Sequence, residues 1–405
     1  PAENRASLTS RITASESQAA NLTARQSYLE LNRNPNEETK LGKHVIKIGD
    51  RRGKVFSGIL SGFSQRCKAG TWCYEIGAMK LSSADADWLY FFSLDYPFWH
   101  DVDSQGEIID SLRLELFRIK YTEHDVPLGL NNVPARRISD STLVSLESSS
   151  FISGSSCNSS LKGYTLNSDC KPIYYNAHEQ EYFGLRINWE TPVWAVYADI
   201  ISNQGNRNYF LYDDRHNLEK MTISGGAAEL QLSWKRDGDE FTFISMMAQG
   251  DDQLEDSSNN GVNYKRNLEG YFEIAPGTYR GTQFYFNGGS PELNSGTGLG
   301  HSINNTQMNG LRYRYDIPET TVVYRFGLYQ LKRLKPVIDA FGNKSNMIGN
   351  EWDNTFTMQI INHAELDLDI NAFLPSGAFS YDDHTASSGE KYLIFHFAGR
   401  LTYSF

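Results

Sequence analysis

The sequence predicts an all-β protein: a transmembrane antiparallel β-barrel of about 18 strands, with short periplasmic turns and long extracellular loops. Three observations predict it. The carboxyl end reads EKYLIFHFAGRLTYSF, and it alternates. Leu393, Phe395, Phe397, Gly399, Leu401, Tyr403 and Phe405 share one face, while Ile394, His396, Ala398, Arg400, Thr402 and Ser404 share the other. Successive side chains point to opposite sides of a strand, so this is a long amphipathic strand, and one that stops on a bare Phe is the closing strand expected of an outer-membrane barrel. Composition agrees: 22 Phe, 23 Tyr and 7 Trp accompany a mean hydropathy of -0.49. A chain polar on average yet rich in rings suits a surface half lipid-facing and half wet. Finally, the carboxyl-terminal hairpins are joined alternately by tight turns and long polar connections.

Composition also excludes function classes. No uncharged apolar run reaches the roughly 18 residues that a membrane-spanning helix needs. A net charge of -11 argues against nucleic acid as a partner, because phosphate binding needs a basic face. The chain opens at Pro1 without a basic and apolar leader, as expected of a mature product whose export signal has been removed. The cysteines are Cys67, Cys73, Cys157 and Cys170. Their spacing suggests two local disulfides, Cys67 with Cys73 and Cys157 with Cys170, formed in an oxidising compartment; four reduced thiols are the alternative.

In chain order, residues 5–13, 23–32 and 44–49 are strand candidates, and 14–21 could equally begin a short helix. Residues 55–65 and 72–80 form a hairpin that the first cysteine pair would close. Residues 87–98 and 107–121 form the next, with a bulge near Leu116 and Phe117 to reconcile a change of apolar parity. The stretch at 122–180 is Ser-rich and irregular, expected as a large surface loop or an inward plug. Beyond it, five short turns are expected: at Glu190-Thr191-Pro192, Asp237-Gly238, Pro276-Gly277, Ile317-Pro318-Glu319 and around Asn362-His363. Between them lie polar loops at 202–227, 250–262, 288–309, 335–353 and 375–391. No linker or repeat divides the chain, so residues 1–405 are read as one domain.

If the apolar parity faces lipid, the other parity faces the lumen. Arg312 and Arg314 alternate with Leu311, Tyr313 and Tyr315, Arg325 sits among Val322, Tyr324, Phe326 and Leu328, and Arg186, Arg113, Arg118, Lys120 and Arg400 are assigned to the same inner side. Glu365, Asp367 and Asp369 supply the opposite sign. Single charges on an inner wall are usually solvated or paired across strands. Together they suit a water-filled, charged passage.

Other chemistry is thin. Gly296, Gly298 and Gly300 lie in a long loop without the strand-to-helix unit that dinucleotide binding needs. The acidic group Asp251, Asp252, Glu255 and Asp256 has Asn267 where an EF-hand would place Glu. No H-x-x-x-H or G-x-S-x-G occurs, so no catalytic residue, metal site or cofactor is expected.

Three motifs in the last third resemble the alginate-export family of outer-membrane barrels. They are Tyr279-Arg280-Gly281, Ile348-Gly349-Asn350-Glu351 followed by a strand at 355–361, and Ala372-Phe373-Leu374-Pro375-Ser376-Gly377 before the terminal strand. Ile48-Gly49-Asp50-Arg51-Arg52 is similar to an element near that family's first strands. The resemblance implies a barrel of about 18 strands conducting a secreted polysaccharide through a basic constriction. Asp367 and Asp369 depart from it, standing where the family can carry inward arginines. The expected role is therefore a passive channel of the bacterial outer membrane for a hydrophilic solute, a polysaccharide by resemblance. The alternative is a non-conducting barrel that anchors or scaffolds a surface assembly. Expected partners are outer-membrane lipid and lipopolysaccharide, with a polysaccharide or a periplasmic or surface protein in addition.

Overall fold

A computed structural model describes residues 5–14, 22–34, 36–47, 53–69, 72–80, 88–104, 108–123, 165–166, 172–173, 178–250, 255–258, 261–264, 267–274, 279–287, 299, 301–338, 344–361, 364–379 and 393–403, apart from 211–217. Every regular element among them is a strand. Seventeen strands form one sheet. Sixteen of these follow one another as an antiparallel meander. They are β1 (Arg5–Ala14), β2 (Leu22–Asn34), β3 (Glu37–Lys47), β4 (Ser57–Ala69), β5 (Trp72–Lys80), β6 (Trp88–Val102), β7 (Ile108–Glu123) and β8 (His178–Glu190). Then come β9 (Trp194–Phe210), β10 (Leu218–Arg236), β11 (Asp239–Ala248), β12 (Thr306–Asp316), β13 (Val322–Ile338), β14 (Lys344–Ile361), β15 (Ala364–Pro375) and β16 (Ile394–Tyr403). The seventeenth, Asn267–Glu269, adds in parallel to β10.

Alternation sorts the two faces as the sequence implies. On β9, Ile200 is 64% exposed and its neighbour Ile201 is fully buried. On β16 the odd-numbered rings face outward, with Phe395 at 74% and Phe397 at 72% exposure. Inward residues from β3 to β15, among them Ile46, Leu60, Met79, Ile119, Tyr182, Ile201, Met308, Leu331 and Phe373, belong to one continuous buried cluster. The strands therefore wrap a shared interior.

Connections sort by rim. At one rim the registers close tightly, Glu190 opposite Ala195, Arg236 opposite Asp239 and Ile361 opposite Ala364. Asp237 and Gly238 both take positive φ, at 47° and 89°, the conformation that an Asp-Gly hairpin turn requires. Two of the connections at the other rim turn inward. Residues 53–56 enter the interior, and so do 270–274 and 279–287, where Lys54, Phe56, Tyr271, Tyr279, Tyr285 and Phe286 are fully buried. Gly53, at φ 78°, makes a left-handed turn just before Lys54 that a side chain would strain.

These inward segments account for the main departures from expectation. The described residues flanking Pro276-Gly277, 270–274 and 279–287, form no strand of the meander, which has sixteen strands among the described residues where about 18 are expected of the chain. Tyr279, Phe284, Tyr285 and Phe286 are buried on both parities, because they pack into the interior instead of lying in its wall. Val55 and Phe56 belong to the inward segment, not to the strand expected from 55. Much of 202–227 and 335–353, expected as loop, is strand, since β9 runs to Phe210, β10 starts at Leu218, β13 reaches Ile338 and β14 starts at Lys344. Polar residues on both faces hide alternation there. The expected bulge near Leu116 is absent, for β7 keeps unbroken register with β8. Phe117, Ile119 and Tyr121 instead face the packed interior, and Arg118 and Lys120 share the outward parity of Leu116.

The disulfide between Cys67 and Cys73 does not form; both thiols are free. Register gives the reason. Cys67 lies opposite Tyr74 and Cys73 opposite Lys68, so the two thiols point to opposite faces of the hairpin. Cys157 and Cys170 lie outside the described residues, as does most of 122–180.

Candidate functional site

The inward face carries two charged walls. The first runs across five neighbouring strands, where Asp95, Glu115, Arg186, Asp199 and Glu229 stand in mutual register from β6 to β10. Adjacent carboxylates repel, so cations must lie between them. Arg113 donates to Asp95 and Arg186 to Glu115. Lys54 reaches in from the 53–56 segment and meets both Asp199 and Glu229 at 2.6 Å, with all three side chains fully buried. The Tyr197 ring lies 5.5 Å from the Lys54 ammonium and 5.6 Å from the Arg186 guanidinium. Its hydroxyl donates to Asp199.

The second wall lies on β12 and β13. Arg314 and Arg325 stand directly opposite each other, with Glu240 of β11 beyond the first and Thr355 of β14 beyond the second. Arg312, one inward position along, donates to the Gly281 carbonyl and, at 2.7 Å, to the Tyr329 hydroxyl. These arginines, with Arg280, Asp353 and Thr355, line a cavity of about 240 Å³. Two like charges held in register repel, and Arg314 is offset by Glu240 in register and by Asp316, to which it donates twice.

Between the walls lies the inward segment. It enters by its parallel pairing with β10, continues through a bond from Gly270 N–H to the Ser224 carbonyl at 2.9 Å, and crosses β10 at Gly225. A Cβ on Gly225 would come within 2.1 Å of the Gly270 carbonyl oxygen, so only glycine admits the crossing. Farther along, Glu351 and Asp353 of β14 act as a backbone clamp. Asp353 accepts from Gln283 N–H at 2.8 Å, and Glu351 from Phe284 at 2.8 Å and Tyr285 at 3.0 Å. Glu273, also in the segment, accepts from Ile303 N–H at 2.9 Å and from the Ser302 hydroxyl. Burial pushes its carboxyl up to about 8 despite those two donors.

Of the residues singled out in the sequence, Arg312, Arg314 and Arg325 come together at the cavity, whereas Arg113 and Arg186 belong to the acidic wall. Arg400 lies close enough for Arg280 to feel its charge. Asp367 and Asp369 face inward and accept from Thr357 and Thr355, both at 2.7 Å; Glu365 shares their parity and is exposed. Sequence reasoning missed Lys54, Asp199 and Glu229. The inward parity of β9 and β10 offered the two acids, but Lys54 and Glu229 are 175 positions apart, and nothing local joins them.

No protein-family model and no curated protein matches the chain. The resemblance to alginate exporters therefore has no family model behind it. Among solved structures, the chain is similar to Pseudomonas aeruginosa OccK5 (OpdH), at a TM-score of 0.47 and 10% identity over 95% of this chain and 83% of that one. It is also similar to OccK11 (OpdR) of the same organism, at 0.45 and 12% over 95% and 80%. The outer membrane protein opdK of that organism follows at 0.43 and 11% over 93% and 80%. Likeness at this level leaves the chemistry of the two walls as the guide to function.

Proposed function

We propose that the chain is a passive channel of the bacterial outer membrane that admits small hydrophilic solutes bearing an anionic group. The observation that carries this is the inversion of the sheet: exposed Phe395, Phe397, Leu401 and Ile200 outside, charged walls inside. A sheet exposing large apolar side chains along its outer face needs a non-aqueous surround, and strand-built spanning proteins are characteristic of the bacterial outer membrane. Lipid and lipopolysaccharide are then the partners of the outer face. Within, Arg280, Arg312, Arg314 and Arg325 supply positive potential at the cavity, and the acidic wall opposes it with a largely neutralised charge.

Polysaccharide export, implied by the family resemblance, is the less supported form of this reading. A cavity of about 240 Å³ is smaller than the roughly 300 Å³ at which ordinary ligand pockets begin, and a threaded chain needs continuous width. Buried Tyr279, Tyr285 and Phe286 favour a second reading, a closed barrel that anchors a surface assembly. Planar bilayers separate the two. Discrete current steps with a reversal potential favouring anions are expected in a KCl gradient; an electrically silent protein supports the anchor.

A further inference from the structure

Lys54 contributes nothing to the cavity, yet it is fully buried at the meeting point of three parts of the chain. Its ammonium lies between Asp199 of β9 and Glu229 of β10. The Glu229 oxygen that it meets also accepts from the Tyr279 hydroxyl at 3.0 Å. Its own carbonyl accepts from the Tyr271 hydroxyl at 2.9 Å, and the next carbonyl, that of Val55, accepts from Ile274 N–H at 3.3 Å. The Tyr279 ring lies 5.7 Å from the ammonium. Residues 54 and 55 thus join the wall to both described stretches of the inward segment: the Lys54 ammonium holds the wall and meets 279–287 through Glu229 and the Tyr279 ring, and the two backbone carbonyls hold 270–274.

Burying this trio is costly, because each charge loses its water, and apolar side chains could fill the same space. An apolar contact, however, tolerates sliding. An ammonium held between two carboxylates, with a tyrosine hydroxyl on each of them, admits a single geometry. The same segment carries Arg280 and Gly281 to the arginine wall, and Arg312 donates to the Gly281 carbonyl. Where Lys54 holds the segment therefore decides how far Arg280 reaches into the passage.

We propose that Lys54 is a positioning residue of the lumen: its ammonium, seated between Asp199 and Glu229, fixes residues 270–274 and 279–287 across the passage and so sets its width and charge. This rests on the channel reading. Lys54→Met nearly keeps the length of the side chain, releases residues 53–56 and the stretch bonded to their carbonyls from the two carboxylates, and removes the ammonium between Asp199 and Glu229. A merely structural lysine would lower the melting temperature alone. A positioning lysine also changes conduction.

The test uses the full chain refolded into detergent and inserted into planar bilayers in a KCl gradient, with the folded fraction read from heat-modifiable gel migration. Folded Lys54→Met is expected to show unit conductance raised about two-fold or more, and a reversal potential moved toward cations. Unchanged conductance and reversal potential in folded Lys54→Met, beside a conducting wild type, overturns the proposal and leaves the channel standing. If Lys54→Met does not fold, the double variant Tyr271→Phe with Tyr279→Phe decides. It keeps the three charges and cuts only the hydroxyl ties to the segment, so a rise in conductance supports the proposal and no change overturns it. If neither the wild type nor a variant lacking residues 279–287 passes current, the channel reading falls and the proposal with it.

Discussion

Arg314 and Arg325 face each other across β12 and β13 with no carboxylate between them, although Asp316 takes two bonds from Arg314 at 2.9 and 3.1 Å. Opposed like charges cost roughly 0.2–1 kcal/mol, so neutralising both should not destabilise the protein. The paired substitution Arg314→Gln and Arg325→Gln is expected to leave the melting temperature unchanged or slightly raised while the reversal potential moves toward cations. Glu273 makes a prediction about pH. Its carboxyl titrates near 8 when folded, against an ordinary value of 4.5. Between those values the folded protein keeps a proton that the unfolded chain releases. The stabilisation is therefore full below about pH 4.5 and is lost as pH rises through about 8, with an upper bound of roughly 5 kcal/mol. Melting temperature measured across that range should fall with pH in the wild type, and the fall should be shallower in Glu273→Gln.

At the scale of elements, the hairpin of β4 and β5 shows what register decides. Residues six apart in sequence look like a disulfide loop, but the pairing of Cys67 with Tyr74 and of Cys73 with Lys68 turns the thiols away from each other. Alkylation of the unreduced, denatured protein should therefore label both Cys67 and Cys73, and mass spectrometry of the labelled peptides reads the result. A disulfide-linked peptide spanning them would contradict the register. The crossing at Gly225 makes the second element prediction. Gly225→Ala puts a methyl group against the Gly270 backbone, which must shift, and overpacking of this kind costs about 1–3 kcal/mol. The neighbouring Gly226, whose nearest contact for a Cβ is the Ile201 carbonyl at 3.2 Å, should tolerate alanine better in the same thermal unfolding measurement.

For the whole molecule, the outward rings set the behaviour. On β10 to β14 near the tight-turn rim, Trp234 and Phe241 have centroids 5.8 Å apart, Phe241 and Tyr313 4.7 Å, and Tyr324 and Phe356 4.9 Å. Trp234, Tyr313 and Tyr324, each a ring with one polar edge, gathered toward a rim suit the boundary between lipid and water. The purified chain is expected to stay dispersed in detergent and to aggregate when the detergent is removed, as light scattering would report. A protein monodisperse in plain buffer would oppose the membrane reading.

The sequence by itself determined the all-β class, the outward parity of the carboxyl-terminal strand and the tight turns at Asp237-Gly238 and Ile317-Pro318-Glu319. All three depend on neighbours within a few positions, where alternation and turn chemistry act. It also placed Arg312, Arg314 and Arg325 on one inner wall, because parity propagates along a strand. Only the tertiary structure decided that 53–56, 270–274 and 279–287 leave the wall for the interior, and that Lys54 finds Asp199 and Glu229. Aromatic residues satisfy a packed interior as well as a lipid-facing strand. Which of these Tyr279 and Tyr285 adopt is settled by distant partners, Glu229, Glu351 and Phe373, that no local pattern can name.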